Sequence, residues 1–146
     1  MGLDSVIKYF NGDEYSSHLP EEISNKFESV KEYKIVGFEI TKYENYNYIS
    51  FRGKAYFNII KKITNKSLCT DLKSDDLKEI YMRLEEKINN FYDIEEVNKA
   101  YENTYNLKDW TEHIYDIYIP SPNEIIGLIE IFRICYENNL MIYANY

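Results

Sequence analysis

The stretch Ser121–Ala144, SPNEIIGLIEIFRICYENNLMIYA, decides how the rest of the chain is read. Ser121 is a natural helix N-cap. Pro122 suits the first helical position, where its missing N–H is not needed. Glu124 stands three residues after the cap, where its carboxylate can reach back to the cap's own amide. From Pro122 to Glu137 only Glu130, Arg133 and Glu137 form a polar stripe, so the helix is apolar on most sides and belongs in the middle of a domain. Asn138-Asn139 ends it, and Leu140–Ala144 reads as a strand. A mostly buried C-terminal helix running into a strand predicts an α+β domain, with one small mixed or antiparallel sheet packed on several helices.

The chain upstream supplies the partners. Ser5–Phe10 reads as a first strand stopped by the turn-prone Asn11-Gly12-Asp13, and a polar loop follows to Pro20. Pro20 at a first helical position, with Glu21 and Glu22 in the first turn, opens a helix to about Glu32, whose apolar face is Ile23, Phe27 and Val30. Lys34–Tyr43 and Tyr46–Phe51 look like two strands joined at Glu44-Asn45, with Gly37 marking a bulge. Alternation sends Tyr46, Tyr48 and Ser50 to one side and Asn47, Ile49 and Phe51 to the other.

Arg52-Gly53-Lys54 leads into a helix over Ala55–Thr64. Its buried stripe is Tyr56, Ile59, Ile60 and Ile63, and Asn65 and Lys66 suit its end. Ser74 is an expected N-cap, with Asp75 and Asp76 favourably placed against the helix dipole. Leu77, Ile80, Tyr81, Leu84 and Ile88 then make Asp75–Asn89 an amphipathic helix. Asp93-Ile94-Glu95-Glu96 resembles a capping box and starts another helix to about Glu102. Leu107–Ile119 fits both periods and is read as a short helix followed by a strand near Ile114–Ile119.

At 146 residues the chain is expected to form a single domain, 1–146, with a core that needs neither metal nor disulfides. The 2 cysteines, Cys69 and Cys135, are too few for a disulfide framework and read as packed, reduced thiols. The N-terminal segment lacks a basic stretch followed by an apolar run, and Ile125–Cys135 is too short and too charged to span a bilayer. No signal peptide or membrane partner is therefore expected, and a cytoplasmic location follows as the expectation. Tyrosine is abundant, at 16 residues against 7 Phe and 1 Trp. Tyrosine is favoured at interfaces, though a genome rich in Tyr, Lys, Asn and Ile codons accounts for it equally.

Charge is distributed unevenly. The net charge is −8. Met1–Ser74 holds 11 basic and 10 acidic residues, Asp75–Asp116 holds 5 and 12, and Ile117–Tyr146 holds 1 and 3. Nearly all the excess thus falls in the middle stretch, interleaved with tyrosines. Such a field steers basic partners and disfavours direct nucleic-acid binding.

The residues that carry chemistry elsewhere are sparse. His18 and His113 are isolated, and no His or Cys spacing suits a metal. A nucleophilic pair of Cys135 with either histidine conflicts with the buried helix predicted for Cys135. No phosphate loop, dinucleotide fingerprint, serine elbow or zinc-protease motif occurs. No catalytic residue, cofactor or metal is expected, and the chain does not read as an enzyme.

One constellation is worth naming. A strand delivers Arg52, Gly53 permits close backbone approach, and a helix N-terminus follows with Lys54 in its first turn. Free amides, the dipole and two cations make a candidate anion site, with Tyr56 or Trp110 to stack on a base. The alternative is that Arg52 pairs with a carboxylate at the edge of the core and Gly53 only makes the turn.

The opening Met1-Gly2-Leu3-Asp4, the Arg52-Gly53-Lys54-x-Tyr56 segment and the closing Asn139-Leu140-Met141-Ile142 after an apolar helix resemble a scattered group of small bacterial and phage proteins. That resemblance covers about a quarter of the chain and implies no particular activity.

Two functions fit these readings. The first is an acidic protein-binding inhibitor, in the manner of immunity proteins against nuclease toxins or of phage anti-defence and anti-CRISPR proteins. Carboxylates would occupy a basic cleft built to hold phosphate. Its contact residues would be Asp75, Asp76, Glu79, Glu85, Glu86, Glu95, Glu96 and Glu102, beside Tyr81, Tyr92 and Tyr101. The partner would be a basic nuclease or defence effector. The second is a small-ligand binder that sequesters a phosphate-bearing nucleotide signal at Arg52, Gly53 and Lys54, with pockets at the seams of a homo-oligomer.

Overall fold

The computed structural model describes residues 4–91 and 120–145. Among them it is an α+β domain with an antiparallel sheet. The strands are β1 (Asp4–Phe10), β2 (Tyr15–Ser16), β3 (Glu39–Lys42), β4 (Asn47–Phe51), β5 (Leu72–Lys73) and β6 (Leu140–Asn145). The helices are α1 (Glu21–Ser24), which continues as a 3-10 segment over Asn25–Tyr33, α2 (Gly53–Thr64), α3 (Asp75–Phe91) and α4 (Pro122–Glu137).

The sheet order is β3-β4-β1-β6-β5, with β2 also paired to β1. The two terminal strands make the centre: β1 and β6 pair from Asp4↔Asn145 through Tyr9↔Leu140. The other edge of β1 is shared. β4 pairs it at Ser5 and Val6, and β2 pairs it at Tyr9 and Phe10. Alternation then sorts the side chains. Ile7, Ile49, Phe51, Leu72, Leu140, Ile142 and Ala144 join the helices in one core. Val6, Lys8, Phe10, Tyr48, Ser50, Met141 and Tyr143 have the opposite parity, and none of them belongs to that cluster.

α4 has the bounds its sequence predicts. The Glu124 N–H donates to Ser121 Oγ (3.3 Å), and the Ser121 N–H donates to Glu124 Oε1 (3.1 Å), completing the capping box. Ile125, Leu128, Ile131, Phe132 and Cys135 are fully buried. α3 packs on α4, which also packs on the 3-10 segment. Gly127 permits that second contact: a Cβ there would lie 2.6 Å from Tyr33 Cβ. α2 ends at Asn65 in the left-handed region (φ 59°), the end predicted for it, with Lys61 and Lys62 exposed. β4 alternates as predicted, with Asn47, Ile49 and Phe51 inward.

Several expectations are corrected. The single strand over Lys34–Tyr43 does not form. Lys34 is left-handed (φ 56°), Phe38 donates its N–H to the Ile35 carbonyl, and only Glu39–Lys42 is strand. Gly37 is not a bulge in that strand. It turns at φ 70° because a Cβ would stand 3.0 Å from both the Cβ and the backbone N of Arg52. Pro20 is the cap, with extended backbone (ψ 153°), and the helix begins at Glu21. The helix expected to run to Glu32 becomes 3-10 after Ser24 and ends at Tyr33. Ser74 precedes α3 at φ 52°, an unusual backbone for an N-cap, and its carbonyl accepts from the Leu77 and Lys78 amides. The polar loop before Pro20 contains the two-residue β2. The helix predicted over 93–102 and the segment 107–119 lie outside the described residues.

Candidate functional site

The Arg52 turn is built from four directions. β4 delivers Arg52 and α2 begins at the next residue. The Arg52 N–H donates to the Val36 carbonyl (2.8 Å), and its guanidinium pairs with Asp4 at the start of β1 (3.0 Å). One turn into α2, Tyr56 is fully buried. Its hydroxyl donates to Glu124 Oε2 (2.6 Å) and accepts the Val36 N–H (2.8 Å). Glu124, 5% exposed, thereby joins the α4 cap to the α2 core. The buried carboxylate has partners on both oxygens, as a buried polar group must.

That geometry assigns Arg52 and Tyr56 to architecture. Arg52 meets a carboxylate at the edge of the core, one of the two outcomes its sequence allowed. Tyr56 has no face open to a ligand, so the expectation of a stacking tyrosine here is corrected. Gly53 is buried and Lys54 half-buried. Trp110, the other candidate ring, lies outside the described residues.

The acidic candidates sit on α3. Its apolar stripe, Leu77, Ile80 and Leu84, is fully buried, and this fixes which carboxylates face water. Asp75, Glu85 and Glu86 are exposed, and no cation of the described residues pairs with them. Asp76 and Glu79 are half-buried and share Lys66, at 3.0 and 3.3 Å, and Glu79 also holds Arg83 at 3.1 Å. Those two carboxylates push the Lys66 pKa up. Asp76 and Glu79 are therefore already paired within the chain, unlike Asp75, Glu85 and Glu86 among the described residues. Tyr81 packs half-buried against the core, its ring 6.0 Å from that of Tyr136. Met82, which sequence reasoning passed over, is 51% exposed on the same outer arc. Its position off the stripe Leu77, Ile80, Leu84 was the available signal. Glu95, Glu96, Glu102, Tyr92 and Tyr101 lie outside the described residues.

The Cys135 thiol offers no site. Cys135 is fully buried, and desolvation pushes its pKa far up, which holds it as an inert thiol. Among the described residues no three His, Cys, Asp or Glu side chains gather as a metal site, and no helix is long and apolar enough to cross a membrane.

Compared with known families, curated proteins and solved structures, this chain matches none.

Proposed function

We propose that this chain is a non-catalytic inhibitor that docks on a basic, nucleic-acid-handling protein through charge complementarity, as immunity and phage anti-defence proteins do. The observation that carries this reading is the outer arc of α3. Among the described residues no cation pairs with Asp75, Glu85 or Glu86, which flank an exposed Met82 on a helix whose apolar stripe is locked into the core. A rigid helix presenting carboxylates with an apolar centre suits a surface evolved to hold phosphate: the charges steer encounter, and the apolar contact slows release. Residues 92–116 add seven carboxylates against two lysines in the same part of the sequence, which supports the same reading. The phosphate-ligand alternative gains no support from Arg52, which pairs with Asp4, or from Tyr56, which is fully buried.

The test is capture from lysate on immobilised protein at low salt, with identification of what is retained. A nuclease or other basic nucleic-acid enzyme should be held, released at about 0.5 M salt where exposed charges are screened, and inhibited in its own assay. Glu85→Lys/Glu86→Lys should abolish capture and Arg52→Ala should leave it intact. Capture that survives the charge reversal, or that persists at high salt, overturns the proposal.

A further inference from the structure

A second surface lies at the other end of the molecule, where both hairpins of the sheet emerge. β1 runs up to Phe10 and returns through Asn11–Glu14 into β2, and β4 begins at that same end beside the Glu44-Asn45 turn from β3. Two groups of aromatic rings lie there, one at each hairpin. Phe10 packs on Tyr15 with centroids 5.4 Å apart. Tyr43 stacks on Tyr46 at 4.7 Å, and His18 stacks on the same Tyr46 at 3.8 Å and 16°. Phe10 is 54% exposed and Tyr43 52%, so two rings of the cluster keep a face in water. An aromatic group of this kind marks a contact surface more often than chance exposure does.

Its occupant follows from charge. Asp13, Glu14 and Glu44 are exposed at the two turns beside these rings. From Tyr9 to Asn25 the chain holds four carboxylates and no lysine or arginine. Lys42, the nearest cation along β3, lies 4.0 Å from Glu28. Nucleic-acid phosphates would meet repulsion here. On the face of the sheet opposite the core, Lys8 Nζ stands 3.6 Å from the centroid of Tyr143, and Lys73 Nζ stands 5.5 Å from that of Tyr15. Cations thus already lie over tyrosine rings on this side of the sheet.

We propose that the hairpin end is a docking surface for an arginine-bearing segment of a partner protein, with guanidinium planes lying on Phe10 and Tyr43 and Asp13, Glu14 and Glu44 balancing their charge. Arginine is named over lysine because its flat, weakly hydrated guanidinium stacks on a ring while its N–H groups still reach carboxylates. This rests on the reading of a basic partner and gives that partner a second point of attachment, remote from α3 in sequence.

The experiment measures binding of a labelled nona-arginine peptide to the full chain by fluorescence anisotropy, at ~0.15 M salt to hold screening at its physiological level. Phe10→Ser/Tyr43→Ser, which changes no charge, should weaken binding about tenfold. Asp13→Asn/Glu14→Gln/Glu44→Gln should weaken it at least as much. Glu85→Gln/Glu86→Gln should leave it within about twofold. Both target rings are more than half exposed, and matched melting curves check that the variants fold; the carboxylate variant, all turn residues, gives a second reading of the same surface. Binding unchanged by loss of the rings overturns the proposal. A loss seen only in the Glu85/Glu86 variant also overturns it, while leaving the α3 reading standing. A ten-nucleotide oligo-dT that binds the wild type and fails on the ring variant overturns it too, by giving the rings to bases.

Discussion

The Arg52–Tyr56 corner and the outer arc of α3 carry the same kinds of side chain, yet the fold spends the first and leaves the second in water. At the corner, a strand end, a helix start and a helix cap converge, so its polar groups lose much of their solvent and pair with one another. Arg52 finds Asp4, and Tyr56 finds Glu124 and the Val36 amide. On α3 one helical stripe satisfies the core, and outside that stripe Asp75, Glu85 and Glu86 meet no cation among the described residues. Charged motifs where several elements converge are thus more readily absorbed into architecture, and exposed charges that no neighbouring element pairs are the better functional candidates.

The sharpest way to break this comparison is Tyr56→Phe. The change keeps the ring and removes one oxygen, stranding the Val36 N–H and taking a donor from Glu124 in a site closed to water. A loss of about 3 kcal/mol is expected, from the cost of leaving buried polar groups unpaired. Urea unfolding monitored by circular dichroism reads it. A loss under ~1 kcal/mol would mean that the corner is not held by this network.

Gly37→Ala probes the same corner from the backbone. A residue with a Cβ must take φ 70° and stand 3.0 Å from the Arg52 backbone N, so both conformational strain and steric conflict arise. About 2 kcal/mol should be lost. An equal loss in Gly12→Ala would break the argument, because Gly12 has a positive φ but open space around it. Arg52→Ala should cost less, about 1 kcal/mol, since the pair with Asp4 is only partly shielded (side chains 29% and 47% exposed). Titrating stability against salt gives a second readout, as the wild type should weaken with salt more than the variant does.

Much of this architecture is legible in residue order. The α4 capping box, the α3 stripe, the α2 terminus at Asn65 and the alternation of β4 all follow from local chemistry that needs no distant partner. What was not legible depends on contacts far along the chain. Ile35, Val36 and Phe38 look like strand residues, but Val36 bonds to Arg52 and Tyr56 and not to a neighbouring strand, so the segment turns. β2 and β5 have two residues each, too few to show any period. The sheet order is set by the pairing of β1 with β6 across nearly the whole chain, which no local pattern encodes. The same limit applies to the acidic site. Sequence identified the row Asp75–Glu86, but not that Lys66, at the end of α2, would reach Asp76 and Glu79.

That last contact gives the smallest prediction, and it separates the inner shoulder of α3 from its outer arc. Lys66 has its pKa raised, first by its hydrogen bond to Asp76 and then by that to Glu79. The folded state therefore holds the ammonium more tightly than the unfolded chain does. The stabilisation is fully present below the ordinary lysine value and is lost as pH rises through the higher folded value, because only then does the folded state give up the proton. Melting temperatures taken from neutral pH to above the lysine range should fall more steeply in the wild type than in Lys66→Met. The tyrosines contribute to both curves and cancel in the difference. The group is solvent-facing, so the effect should be small and should shrink with salt. Glu85→Gln/Glu86→Gln should follow the wild-type curve throughout, because no cation pairs with those carboxylates among the described residues. A variant curve that departs from the wild type at Glu85/Glu86 and not at Lys66 would reverse the two roles, making the arc structural and the shoulder free.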